Sequence, residues 1–239
     1  MGLNISWRYQ EMTNNYVVAT IKEWQIEQYD KTCPTLAGNW SLITEPAQLT
    51  LENLRVIKPK YVFFPHWSWI VPGEILNEFT CICFHMTDVP YGRGGTPLQN
   101  LIVRGHQETK LSALKMTPEL DAGPIYLKAP LSLKGSAQEI FERSAVLTFE
   151  MIASIAKLAP EPIAQTGEVT HFERRTPQQS ELQGNEAIPT LYDLIRMLDA
   201  KSYPKAFLHY GDYTLTFEKA ILSDESVSAN VTFNKKSKI

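Results

Sequence analysis

Short runs of adjoining apolar residues alternate with polar, helix-spaced stretches through the first two-thirds of the chain. Tyr16 to Ile21, Trp40 to Thr44, Tyr61 to Phe64 and Thr80 to Phe84 each read as a strand buried on both faces. Polar helical sequence follows Lys22. Leu49, Leu51, Leu54, Val56 and Ile57 fit a short helix that stops before Pro59, because a residue preceding proline avoids the α region. Leu111 to Met116 and Ile125 to Lys128 read as a later pair of strands. The expected fold class is α/β: a Rossmann-like, mostly parallel sheet with helices on both faces.

A long helix is expected from Ser136 to Lys157. Ser136-Ala137-Gln138-Glu139 has the form of a capping box, with Ile140, Phe141, Leu147, Ile152 and Ile155 behind it on helical spacing. Composition then turns to Pro, Gln, Glu and Gly, so residues 159–189 read as an irregular connection. Beyond it, Thr190 is placed to cap a helix reaching Ala200, and Ala206–Tyr210 and Tyr213–Phe217 flank Gly211-Asp212, a two-residue hairpin signal. The tail NKKSKI reads as a frayed end. The chain thus divides into a first domain over 1–158, a connection over 159–189, and a small α+β appendage with a β-hairpin over 190–239.

Composition adds limits to this pattern. The chain has 239 residues, enough to bury a large core without disulfides, and its three cysteines (Cys33, Cys81, Cys83) make no secretory framework. The first twelve residues lack the build of a signal peptide, and the greasiest stretch, YVFFPHWSWIVPGEIL, is broken by a histidine and two prolines. A cytoplasmic protein with no membrane partner is expected. The net charge of −3 argues against a polyanionic partner, since nucleic-acid binders usually carry a basic surplus.

Candidate chemistry gathers between Cys81 and Tyr126. Side chains two apart on a strand share a face, so Cys81, Cys83 and His85 point one way where CICFH ends. Ligands collect at such carboxyl ends in open α/β sheets, and histidine transfers protons near neutral pH. Thiolate and imidazole also suit zinc, but no fourth ligand has the usual spacing, and the expectation is no metal. Next, Tyr91-Gly92-Arg93-Gly94-Gly95-Thr96-Pro97 feeds a helix that Thr96 is placed to cap and Gly105 to end. Backbone amides of that loop, with Arg93, offer donors to an anion. Finally, Asp121 sits on a turn after LSALKM. If that strand neighbours CICFH, Asp121 meets His85 and fixes its tautomer.

Together these segments resemble the catalytic domain of the 10-formyltetrahydrofolate-dependent formyltransferases. That family's pattern is a strand ending in Asn-x-His, then a loop, Arg-Gly and a proline-started helix, then Leu-Asp-Thr-Gly. Here CFHMTDVPYGRGGTPLQNLIVRG and MTPELDAGPIY stand in those places, and SWIVPGEIL stands where the apolar folate-site loop would be. The likeness spans residues 16–158, which would make the first domain the catalytic one. HMTDVPYGRGGTPLQNLI and the later IRMLDAKSYPKAF further resemble the sugar N-formyltransferases of bacterial pseudaminic-type pathways.

The resemblance implies His85 as catalytic histidine and Asp121 as catalytic aspartate, with Cys83 where the family has asparagine. An amide would stabilise a developing oxyanion, and a thiol is a weaker donor. Asn100, Gln99 or His66 are candidates to supply the missing contact. The 10-formyltetrahydrofolate cosubstrate would lie along His66, Trp69, Ile70 and Val71 and along Met116, Thr117 and Glu119, with Tyr91, Arg93, Gly94 and Asn100 at the acceptor side. The implied reaction carries a formyl group to a primary amine of a nucleotide-linked deoxyamino sugar, with no nucleic-acid partner. The rivals are a non-catalytic folate- or nucleotide-binding module and a formyltetrahydrofolate hydrolase, with a methionyl-tRNA formyltransferase ranked third behind them. Apolar residues around Phe207 and Phe217 point to a homodimer through the hairpin or, equally, to core packing.

Overall fold

The computed structural model describes residues 13–201 and 203–236. The signal-peptide reading of residues 1–12 and the last three residues of the tail lie outside them. The chain begins in the order β1 (Asn15–Ala19), α1 (Glu23–Thr32), β2 (Asn39–Ile43), α2 (Leu51–Ile57), β3 (Tyr61–Phe64), α3 (Gly73–Glu78) and β4 (Cys81–His85). It continues through β5 (Arg93–Gly94), α4 (Pro97–Val103), β6 (Glu108–Lys115), β7 (Ile125–Ser132) and α5 (Ala137–Leu158). Six strands form one sheet in the order β2-β1-β3-β4-β6-β7. The first four run parallel, β6 pairs antiparallel with β4, and β7 antiparallel with β6. Val17, Val18, Val62, Phe63 and Ile82 are fully buried within it, as continuous apolar strands between two helical layers require.

The capping box of α5 is present, with Ser136 and Glu139 satisfying each other's backbone amides. Other expectations shift. The segment SWIVPGEIL, read as a loop, is half helix, because Pro72 ends the loop and Gly73–Glu78 form α3. Thr96 does not cap α4: it lies at φ +44°, and its hydroxyl accepts from the Arg175 amide instead. β8 (His171–Phe172) pairs in parallel with β5, so the segment read as an irregular connection completes a small ladder beside the sheet.

The C-terminal part comprises α6 (Ile188–Arg196), β9 (Ala206–Tyr210), β10 (Tyr213–Leu222) and β11 (Val227–Lys235). α6 begins before Thr190, since Pro189 is preset for a first helical turn and Ala187 is its N-cap. The hairpin is a three-stranded antiparallel sheet in the order β11-β10-β9. Asn234 and Lys235, read as frayed, pair with Thr214 and Tyr213. Phe217 packs against the main apolar cluster, to which both parts of the chain contribute, while Phe233 and Tyr210 are exposed. No helix among the described residues is long and apolar enough to cross a membrane.

Candidate active site

β4 delivers His85 to the carboxyl end of the parallel strands, buried at 7% exposure. Its Nε2 lies 2.8 Å from the Gly92 carbonyl oxygen. A carbonyl can only accept, so Nε2 carries a proton and donates it, and Nδ1 is the nitrogen left to face other groups. Nδ1 faces Asp121, with Oδ2 3.4 Å away. The pairing of β4 with β6 produces this meeting, because the turn after β6 brings Asp121 back over the end of β4. Asp121 lies at φ +54°, a left-handed conformation that aspartate tolerates better than most residues. The Gly94 amide donates to the same Oδ2 at 3.0 Å and helps fix the carboxylate.

Gly94 itself has φ +108°, and a side chain there would overlap the Phe172 carbonyl oxygen. Only glycine suits a strand so close to β8. Gln165 is the residue that the sequence reading passed over. Its Nε2 donates to the Asp121 and Gly123 carbonyls, both at 2.8 Å, and its Oε1 accepts from Arg93 Nε and Nη2 at 3.1 and 2.9 Å. The Ile125–Ile163 bridge carries the chain back to the Asp121 turn and so brings Gln165 within reach. Nothing local to Gln165 announces this role.

The other expected site residues divide. Arg93 is buried and points at Gln165 and at Glu119, whose Oε1 is 3.1 Å from Nη1. Tyr91 bonds His106 through its hydroxyl at 3.0 Å. The Asn100 amide nitrogen lies within 3.2 Å of the carbonyls of Gly95, Thr96 and Glu173, and its oxygen accepts from Arg104. Asn100 therefore binds the loop to the segment after β8. The Gln99 amide donates to the Met197 carbonyl, and His66 Nε2 bonds the Tyr203 hydroxyl. All three groups considered as stand-ins for the family amide are thus engaged elsewhere.

Cys83 is half-buried, and its thiol is pushed up from the ordinary cysteine range, first by burial and then by the Asp121 charge. It stays protonated at neutral pH and remains a weak donor facing the carboxylate. Around it, Val71, Trp67 and Met116 belong to one apolar cluster. Trp69 and Ile70 are exposed beside them at 45% and 96%, and Trp67 Nε1 is buried with no hydrogen-bond partner among the described residues. An aromatic ligand with polar edges would cover the exposed side chains. Thr117 bonds the Glu119 carbonyl on the other side of the mouth.

Comparison with known proteins gives these contacts a context. The family model described as "Methionyl-tRNA formyltransferase, C-terminal domain" matches residues 177–234. A methionyl-tRNA formyltransferase of Rickettsia bellii is 28% identical over 66% of this chain and 54% of its own length. The chain spans about half the length of such curated relatives. A solved structure named methionyl-tRNA formyltransferase from Clostridium thermocellum is 43% identical, with TM-score 0.89, and the match covers 93% of this chain and 100% of that one. HypX of Aquifex aeolicus, solved with tetrahydrofolic acid, shares the fold at 15% identity and TM-score 0.72, over 86% of this chain and 37% of that one.

These findings correct three linked expectations: the nucleotide-linked amino sugar as acceptor, the pseudaminic-type likeness, and the lack of a nucleic-acid partner. The last rested on net charge. Net charge averages over the whole surface and is silent about local patches. The hairpin segment is itself what the methionyl-tRNA formyltransferase C-terminal model matches.

Proposed function

The chain belongs to the formyltransferase family, and on that premise we propose that it transfers the formyl group of 10-formyltetrahydrofolate to the α-amine of methionyl-tRNA. The observation that carries the chemistry is the buried His85–Asp121 pair, with His85 Nε2 anchored on the Gly92 carbonyl and Nδ1 turned to the carboxylate. The acceptor reading is supported by the relatives' names and by the match over the C-terminal segment. The folate would lie against Trp69, Ile70 and Val71, with Met116, Thr117 and Glu119 opposite, and it supplies an electrophilic formyl carbon when bound.

The remaining work belongs to the chain. An amine attacks only when neutral, so a proton must leave the nitrogen as the new C–N bond forms. His85 Nδ1 accepts that proton while Nε2–H stays anchored on Gly92. Asp121 then faces an imidazolium and stabilises its charge at 3.4 Å. The same Nδ1–H can return the proton to the departing nitrogen, which balances the transfer. It is also a charged donor for an oxygen that gains negative charge nearby, a task the Cys83 thiol performs poorly.

The test is a transfer assay with 10-formyltetrahydrofolate, methionyl-tRNA and the purified chain, read by mass on the released aminoacyl group. Formyl-methionine is the expected product, and formate release without acceptor should be slow. Rapid formate release that ignores methionyl-tRNA would instead make the protein a hydrolase. Folate binding with neither product would make it a binding module.

A further inference from the structure

Residues 92–94 hold both members of the catalytic pair through the backbone. The Gly92 carbonyl accepts from His85 Nε2 at 2.8 Å, and the Gly94 amide donates to Asp121 Oδ2 at 3.0 Å. A shift of this short segment would therefore disturb the imidazole and the carboxylate together. Backbone pairing ties it to the chain around β8: the Arg93 amide donates to the Thr170 carbonyl at 2.9 Å, and the Gly95 amide to the Phe172 carbonyl at 3.0 Å. Between the two gripping groups stands one side chain, that of Arg93, and it reaches toward the turn that carries Asp121.

The sequence suggests Arg93 as a donor to an anion. In the fold the side chain is buried, at 11% exposure, and all three of its nitrogens are engaged. Nε and Nη2 converge on Gln165 Oε1 at 3.1 and 2.9 Å, and Nη1 reaches Glu119 Oε1 at 3.1 Å. A guanidinium can only donate, so it fixes the direction of the Gln165 amide. The amide oxygen must face Arg93, which leaves Nε2 for the Asp121 and Gly123 carbonyls, both at 2.8 Å. Glu119 lies two residues before Asp121 on the same turn, and the Ala122 amide donates to its carbonyl. Arg93 therefore reaches the Asp121 turn by two routes, one through Gln165 and one through Glu119.

Charge points the same way. Arginine keeps its proton at any working pH, so a buried guanidinium needs partners, and among the described residues the one ion pair of Arg93 is with Glu119. We infer that Arg93 is a positioning residue: with Glu119 as its counter-ion and Gln165 as intermediary, it sets the Asp121 carboxylate against His85. The Glu119 carboxylate then serves Arg93 rather than the cosubstrate. The inference rests on the His85–Asp121 chemistry proposed above, but the placement of the carboxylate can be tested without any formyl transfer.

The test compares the full chain as wild type, Arg93→Met and Glu119→Gln by two measurements. Methionine keeps the bulk of Arg93 and removes its donors, while Glu119 is 71% exposed, so its replacement should leave the fold intact. The first measurement is hydrogen exchange by NMR at the Gly94 amide, which is protected by Asp121 and so records whether the carboxylate is in place. Amides of β1, in the sheet interior, are the control for general unfolding. The second is transfer kinetics at varied 10-formyltetrahydrofolate. In Arg93→Met, Gly94 protection should fall about tenfold with β1 unchanged, and kcat should fall about tenfold or more with KM for the folate unaltered. Glu119→Gln should move both in the same direction by about threefold, the scale of an exposed ion pair. A raised KM for the folate at unchanged kcat would overturn the inference, because these side chains would then hold the cosubstrate. Unchanged Gly94 protection in Arg93→Met, or equal loss at Gly94 and in β1, would overturn it as well. If the wild type formylates no methionyl-tRNA, loss of protection confined to Gly94 still upholds the positioning role and sinks the acceptor reading instead.

Discussion

At the scale of the residue, the active site depends on which nitrogen of one imidazole is free. The Gly92 carbonyl accepts a hydrogen bond from His85 Nε2, so in the proposed mechanism Nδ1 is the nitrogen that exchanges protons beside Asp121. Replacing His85 by alanine removes the acceptor, and Asp121→Asn removes the charge that balances the imidazolium. Each should lower kcat by ~10²–10³ in the formyl-transfer assay. Cys83 makes the complementary case. Its thiol is a poor donor held protonated by burial, so Cys83→Asn puts an amide donor in the same position and should raise kcat several-fold, while Cys83→Ala should change it little. A large loss in Cys83→Ala would show that the thiol contributes more than a weak hydrogen bond. That His85 and Asp121 would meet was legible in the sequence, from strand alternation and the position of a turn, while roles for them and for Cys83 came only from the order of the motifs and the family resemblance. What each side chain bonds was not legible. Asn100 and Gln99 are amides in a plausible place, yet backbone carbonyls from residues 70 or more positions away hold them.

At the scale of the element, the site is assembled by a segment that looks structureless in sequence. Strands β1 to β4 and the capped helix α5 announce themselves through apolar runs and a capping box. β8 is two residues long, and its pairing with β5 is set by contacts remote in sequence. Such a ladder carries no periodicity to read. Its consequence is Gln165, whose single amide ties the Asp121 turn to Arg93. Gln165→Ala leaves two carbonyls and a buried guanidinium short of partners, at a cost of about 1–3 kcal/mol. The expected outcome is a kcat lowered about tenfold, since proton transfer is sensitive to the placement of its carboxylate. Urea unfolding and transfer kinetics on the same preparation separate the two effects, and unchanged kcat with lowered stability would reduce Gln165 to a purely structural contact.

At the scale of the whole molecule, the C-terminal part is tied into the first domain by buried polar contacts as well as apolar ones. Arg196 is 4% exposed and donates to the Leu133 and Gly135 carbonyls, and His66 bonds Tyr203 while packing edge-on against Trp24 and Phe141. Burial first, then the Lys22 charge, push the His66 imidazole down to about 4. The unfolded chain would hold a proton on this group below about 6.5, and the folded chain does not until about 4. Between those values the unfolded state binds more protons, so stability falls as pH drops through that window. For a group only partly shielded from water, about 1–3 kcal/mol is lost across it. His66→Gln should therefore be less stable than wild type at pH 7 but lose less on acidification to pH 4.5. Urea midpoints at the two pH values read the difference directly. Parallel losses in the two proteins would mean that His66 titrates normally, and that the contact with Tyr203 does not hold the two parts together through a neutral imidazole.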